Sequence, residues 1–161
     1  MIAPKGKLVI IGGAVDLGSN VSSQERIMPQ DHLKFFDLGI VRRIINESPK
    51  HEGSIVEVIT TASPIPELVG SEYIKAFKQL NVPKINTLDI QSREDAANKN
   101  YLDRIRKADI VIFTGGDQLK LSSIFGGTEF LQILKARYQK ESFMVAGTSA
   151  GAAALSAHMI Y

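Results

Sequence analysis

The chain has 161 residues, 44% of them hydrophobic and 22% charged, and 19 Lys and Arg against 17 Asp and Glu leave a formal charge of +2. This length suits a single domain with its own core, and the balanced charge gives no electrostatic reason to expect nucleic acid or an anionic membrane as partner. With no cysteine there is no disulfide, thiolate metal site or thiol nucleophile, and with neither a signal-like start nor an apolar run of membrane-span length the expected location is cytoplasmic.

In chain order, apolar strand-like runs alternate with amphipathic helix-like ones. Lys7 to Ile11 predict a first strand that ends in Gly12-Gly13. Asp31 to Ile45 carry Leu33, Phe36, Ile40, Val41, Ile44 and Ile45 at a spacing of three to four, which predicts a helix packed on a sheet. Ser54 to Thr60 predict the second strand, and Pro66 suits the first turn of a helix that aligns Tyr73, Phe77 and Leu80. Lys84 to Leu88 form a short third strand. Arg93 to Lys107 read as a polar, mostly exposed stretch with Tyr101, Leu102 and Ile105 facing inward. Asp109 to Thr114 make an apolar fourth strand, helices follow at about Leu119 to Ile124 and Thr128 to Tyr138, and Phe143 to Ala146 make a fifth strand. Ala152 to Tyr161 read as a mainly apolar last helix.

Strands separated by helices predict an α/β fold, a parallel sheet with helices on both faces, because parallel crossovers need a long return. Ligands of such sheets bind beyond the carboxyl ends of the strands. The loops to inspect are therefore Gly12 to Asn20, Thr61 to Pro66, Gly115 to Gln118, and the segment after the fifth strand.

That last segment, Gly147-Thr148-Ser149-Ala150-Gly151, fits the G-x-S-x-G pattern between a strand and a small-residue helix. In a nucleophile elbow the glycines permit a sharp turn that lifts the serine hydroxyl above the sheet. Serine is also a favoured helix cap, so Ser149 reads either as nucleophile or as an ordinary N-cap. Gly115-Gly116 lies at the mouth of the fourth strand with unshielded N–H groups, and with Ala150 N–H it could form an oxyanion hole. Asp117 and Gln118 either orient substrate or cap the next helix.

A serine needs a base within about 3 Å to accept its proton. On a continuous helix His158 lies roughly 13 Å from Ser149 along the axis, and His51 belongs to a loop at the opposite edge of the sheet. His32 stands on the correct edge, although an exposed histidine in a first helical turn is the ordinary reading. The scattered histidines give no metal-binding spacing. Gly12 to Gly18 does not match G-x-G-x-x-G, and no phosphate-loop motif occurs, so neither metal nor cofactor is expected.

Thr114-Gly-Gly-Asp-Gln-Leu-Lys-Leu121, Phe125-Gly-Gly-Thr128 and Ala146-Gly-Thr-Ser-Ala-Gly-Ala-Ala153, with Gly12-Gly-Ala14 and Thr60-Thr-Ala-Ser63 upstream, together resemble cyanophycinase. That serine peptidase family is related to aspartyl dipeptidase. The resemblance implies the flavodoxin-like, class I glutamine amidotransferase-like fold and release of β-Asp-Arg dipeptides from cyanophycin, an aspartate polymer bearing arginine on its side chains. It implies Ser149 as nucleophile, Gly116 and Ala150 as oxyanion donors beside Gly115, and Gln118 in the substrate pocket; Asp117, Ser63 and Thr148 are counted with that pocket. The alternatives are an aspartyl dipeptidase-like amide hydrolase, or an inert truncated relative that only binds ligand.

Family members continue beyond the elbow helix, and their catalytic histidine and arginine-recognising residues lie there. Residues 1–161 are therefore expected to be the N-terminal part of a larger α/β domain, completed by further polypeptide or a second fragment. Since relatives associate, a homodimer is expected too, with a peptide or the cyanophycin polymer as substrate.

Overall fold

A computed structural model describes residues 3–13 and 39–156. Its centre is a five-stranded sheet made of β1 (Lys7–Ile11), β2 (Val56–Ile59), β3 (Ile85–Leu88), β4 (Ile110–Phe113) and β5 (Met144–Thr148), in the order β1-β5-β4-β2-β3. Every pairing is parallel. The expected α/β architecture is thus the observed one, and β2 and β4 are buried along their whole length, as strands covered on both faces must be.

Helices α1 (Ile40–Glu47) and α2 (Pro66–Gln79) cover one face. Their Val41, Ile44, Ile45, Tyr73 and Phe77 pack with Val56, Val58, Ile110, Ile112, Met144 and Ala146. The other face is covered by α3 (Arg93–Ala96), α4 (Lys99–Lys107), α5 (Gln118–Phe125), α6 (Glu129–Lys140) and the short α7 (Ala150–Ala154). There Leu102, Ile105, Leu121, Phe125, Phe130 and Leu134 meet Ile59, Val111, Phe113 and Val145. Alternate residues of β2, β4 and β5 supply the two cores, as the period of two requires, whereas the edge strand β1 packs only Val9 and Ile11 and leaves Leu8 and Ile10 exposed.

Three sequence expectations change in detail. The Arg93 to Lys107 stretch is two helices, because the Asn98 side chain accepts from Asn100 N–H at 2.9 Å and starts α4 afresh. The fifth strand runs on to Thr148, two residues further than expected, because β1 pairs alongside it up to Ile11 and Thr148. The last helix ends at Ala154 with Leu155 as its C-cap, so the helix expected to run on to Tyr161 stops much earlier. Residues 157–161, with His158, lie outside the described residues, as do His32, residues 14–20 of the loop after the first strand and the first part of the helix expected from Asp31.

One buried charge is placed by the sheet. Glu57 in β2 is nearly inaccessible and pairs with Arg104 of α4, which also donates to the Thr87 carbonyl at 2.8 Å. The guanidinium satisfies an acid that an apolar strand would otherwise leave stranded.

Candidate active site

All loops that follow the strands open on the carboxyl edge of the parallel sheet, where β5 passes into α7 through one residue. Ser149 has φ 50° and ψ −113°, a left-handed strained conformation for a residue with a side chain. It is exposed, between buried Thr148 and Ala150. Although Ser149 occupies the N-cap position of α7, its side chain makes no capping hydrogen bond. Of the two sequence readings, the observed geometry is that of a presented hydroxyl and not of a cap.

The flanking glycines are required by contact. A Cβ on Gly147 would lie 2.6 Å from the Gly151 carbonyl carbon and oxygen, and one on Gly151 would lie 2.3 Å from the Phe113 carbonyl oxygen. The start of α7 therefore sits directly on the ends of β4 and β5, which fixes where the serine points. Backbone bonds hold both sides of the turn. Ser149 N–H donates to Ile11 O at 2.9 Å, and Ala153 N–H donates to Ser149 O at 2.9 Å.

The Gly115-Gly116 loop stands beside this turn. A Cβ on Gly115 would come within 3.3 Å of Ser149 Cβ and 3.9 Å of its Oγ. Gly116 has φ 138°, and a Cβ there would strike Ala62 O at 1.9 Å. Asp117 N–H donates to the same Ala62 carbonyl at 2.9 Å, so the loop after β4 is stapled to the loop after β2. Thr114, just before the double glycine, has a buried hydroxyl with no hydrogen-bond partner among the described residues.

The remaining expected site residues divide by what their side chains already do. Asp117 Oδ1 accepts from Leu119 N–H at 2.8 Å and Lys120 N–H at 3.4 Å, so the carboxylate caps α5. Gln118, half-buried, is the first residue of that helix. Ser63 is buried, and its Oγ accepts from Ile65 N–H at 3.1 Å within its own turn. Thr148 donates from its hydroxyl to the Gly13 carbonyl at 2.6 Å, a bond to the loop after β1 that no sequence pattern indicated. Ala150 opens α7 and is buried. With five residues, α7 contributes less dipole at its N-terminus than the long apolar helix expected from sequence.

His51, the one histidine among the described residues, lies in a turn leading into β2, at the end of the sheet opposite Ser149. Groups whose ionisation is shifted also lie away from the elbow. Burial pushes the Tyr73 hydroxyl up to about 12. Hydrogen bonding from Lys7 and the charges of Lys7 and Arg43 hold Glu47 below the usual carboxylate value. No group of three or more metal-ligating side chains occurs among the described residues, and none of their helices is long and apolar enough to cross a membrane.

Comparison with known proteins gives the family. Residues 66–161, which include β3, β4, β5 and the whole elbow, match the model of peptidase family S51. The chain belongs to that family. The cyanophycinase of Trichormus variabilis is 34% identical over 105 residues, 65% of this chain and 35% of that protein. The cyanophycinase of Geminocystis herdmanii is 31% identical over 107 residues, 66% of this chain and 39% of that protein. This S51 chain therefore spans little more than a third of the length of the curated relatives it matches. The crystal structure of a peptidase from an acI-B1 Actinobacterium superposes on the whole chain with a TM-score of 0.63 at 23% identity, covering 59% of that structure, and supports the fold.

Proposed function

We propose that the protein is a serine hydrolase that cleaves the backbone amides of cyanophycin by acyl transfer and releases β-Asp-Arg dipeptides from the chain end. The observation that carries this reading is Ser149, exposed, in a left-handed turn, making no capping bond and lying beside Gly115. The similarity to cyanophycinases supports the substrate.

In this mechanism Ser149 Oγ attacks the scissile carbonyl as a histidine base takes its proton. The N–H groups of Gly116 and Ala150 donate to the oxygen that becomes negative. Collapse of the intermediate expels the amine, which leaves with the proton from the same base. Water then attacks the acyl-serine, gives its proton to the base and releases the carboxylate and the serine. His51 stands at the wrong edge for this role, so the base belongs to polypeptide outside the described residues.

The test is incubation of the full-length protein with cyanophycin and mass spectrometry of the small products. Arginine-containing dipeptide is expected from the parent and not from Ser149→Ala. Hydrolysis of α-aspartyl dipeptides with the polymer untouched would move the assignment to an aspartyl dipeptidase. Failure of an activated phosphonate to label Ser149 in the folded full-length protein would favour an inert binding relative.

A further inference from the structure

The serine-bearing strand is flanked by two double glycines. In the sheet β5 lies between β1 and β4; β1 runs into Gly12-Gly13, and β4 runs through Thr114 into Gly115-Gly116. The fold itself accounts for the second pair, since Gly115 abuts Ser149 and Gly116 combines a left-handed φ with contact on Ala62. It does not account for the first. Among the described residues, Cβ atoms added to Gly12 and Gly13 meet no heavy atom within 4 Å, neither glycine has a left-handed φ, and both are exposed.

Yet this open backbone is held in place against the elbow. Ser149 N–H donates to Ile11 O at 2.9 Å, and the buried Thr148 donates from Oγ1 to Gly13 O at 2.6 Å. Both anchors come from the residues that form the nucleophile turn. A glycine that neither its φ nor its neighbours require often marks a place where another backbone approaches closely.

We propose that Gly12-Gly13 is the subsite for the main chain of an extended peptide substrate, on the side of Ser149 away from Gly115-Gly116, and that Thr148 is the positioning residue that holds it there. Main chains that pair by hydrogen bonds lie about 4.8 Å apart, and a side chain pointing from Gly12 or Gly13 toward the ligand would hold it off. This inference rests on the peptidase reading above for the ligand class, and on the two anchoring bonds for the place.

The experiment measures binding separately from turnover. A fluorescently labelled aspartyl-arginine peptide is titrated into full-length Ser149→Ala protein, alone and combined with Gly12→Val, Gly13→Val, Thr148→Val or Thr148→Ser. Loss of one or two backbone hydrogen bonds is expected to weaken binding about 10-fold in the glycine variants and in Thr148→Val, with Thr148→Ser restoring it. In the protein with Ser149 present, the same changes should raise KM by a similar factor and lower kcat by less than about 3-fold, the sign of lost uniform binding. Melting temperatures within about 2 °C of the parent exclude general unfolding; where valine lowers them further, the alanine variants, whose methyl meets none of the described residues, are measured instead.

Binding that survives every glycine variant would overturn the subsite, as would KM unchanged in an enzyme that does turn over. A parent that binds no peptide would overturn it too. If the parent binds and the glycine variants do not, but no polymer is hydrolysed, the subsite stands and the peptidase reading falls.

Discussion

Gly115 lies against Ser149 so closely that a methyl group on it would sit 3.3 Å from the serine Cβ and 3.9 Å from Oγ. The first of these distances is tight but can be relieved by a small shift, so the fold should accept Gly115→Ala. The proposed mechanism should not, because the methyl would occupy the flank of Ser149 on which the Gly115-Gly116 loop lies. A loss of about 100-fold in kcat is expected, comparable to removal of one oxyanion donor, with the melting temperature lowered by no more than about 4 °C. Steady-state kinetics and thermal unfolding of the same variant check both parts; unaltered kcat would remove the double glycine from the chemistry.

The conformation of Ser149 carries its own cost. At φ 50° a residue with a side chain is disfavoured by roughly 1 to 3 kcal/mol, and glycine escapes that cost. Ser149→Gly is therefore expected to unfold at higher denaturant than Ser149→Ala, by about 1 kcal/mol after glycine's greater chain entropy is counted, while both lose labelling by a phosphonate. Equal stability of the two variants would show that the turn is relaxed and that the strain has no part in presenting the hydroxyl.

Much of this was legible in the residues themselves. Ile110 to Phe113 and Val56 to Ile59 are apolar or nearly so because helices cover both faces of their sheet, and continuous runs of that kind announce a parallel strand. The elbow was legible for a similar reason, since its two glycines answer to contacts at 2.6 and 2.3 Å that permit no other residue. What sequence could not supply is the neighbourhood across strands. That β5 sits between β1 and β4, and so brings Thr148 onto Gly13, depends on strand order, which no local pattern encodes. Short polar side chains were ambiguous because the groups that bind substrate also bind backbone: Asp117 proved to cap a helix and Ser63 to close its own turn. Asn98 did carry a signal, a capping residue before Lys99, hidden by the uniformly polar stretch around it.

Asp117 allows a cap to be separated from a substrate contact. Its Oδ1 accepts two N–H groups at the start of α5, and a cap of this type contributes about 1 kcal/mol. Asp117→Ala should lower stability by that amount, and Asp117→Ser, which keeps a capping oxygen, should recover most of it. If capping is the whole role, KM is unchanged in Asp117→Ala, the apparent kcat follows the folded fraction, and Asp117→Ser is as active as the parent. Restored stability without restored KM would return the carboxylate to the substrate pocket.

Asp95 sets a pH dependence in the capping box of α3. Bonds from the Gln91 N–H and from Ser92 hold its carboxyl below the ordinary 3.8. The folded protein therefore binds this proton less readily than the unfolded chain, and stability from this group rises with pH through that window. The contribution is complete above the ordinary value and is lost as pH falls through the lowered one. Asp95→Asn cannot titrate, so its melting temperature should fall less than that of the parent between about pH 5 and pH 3, whereas the two proteins should run parallel at higher pH. Parallel curves through the acid range would mean that the box is already open when the carboxyl protonates.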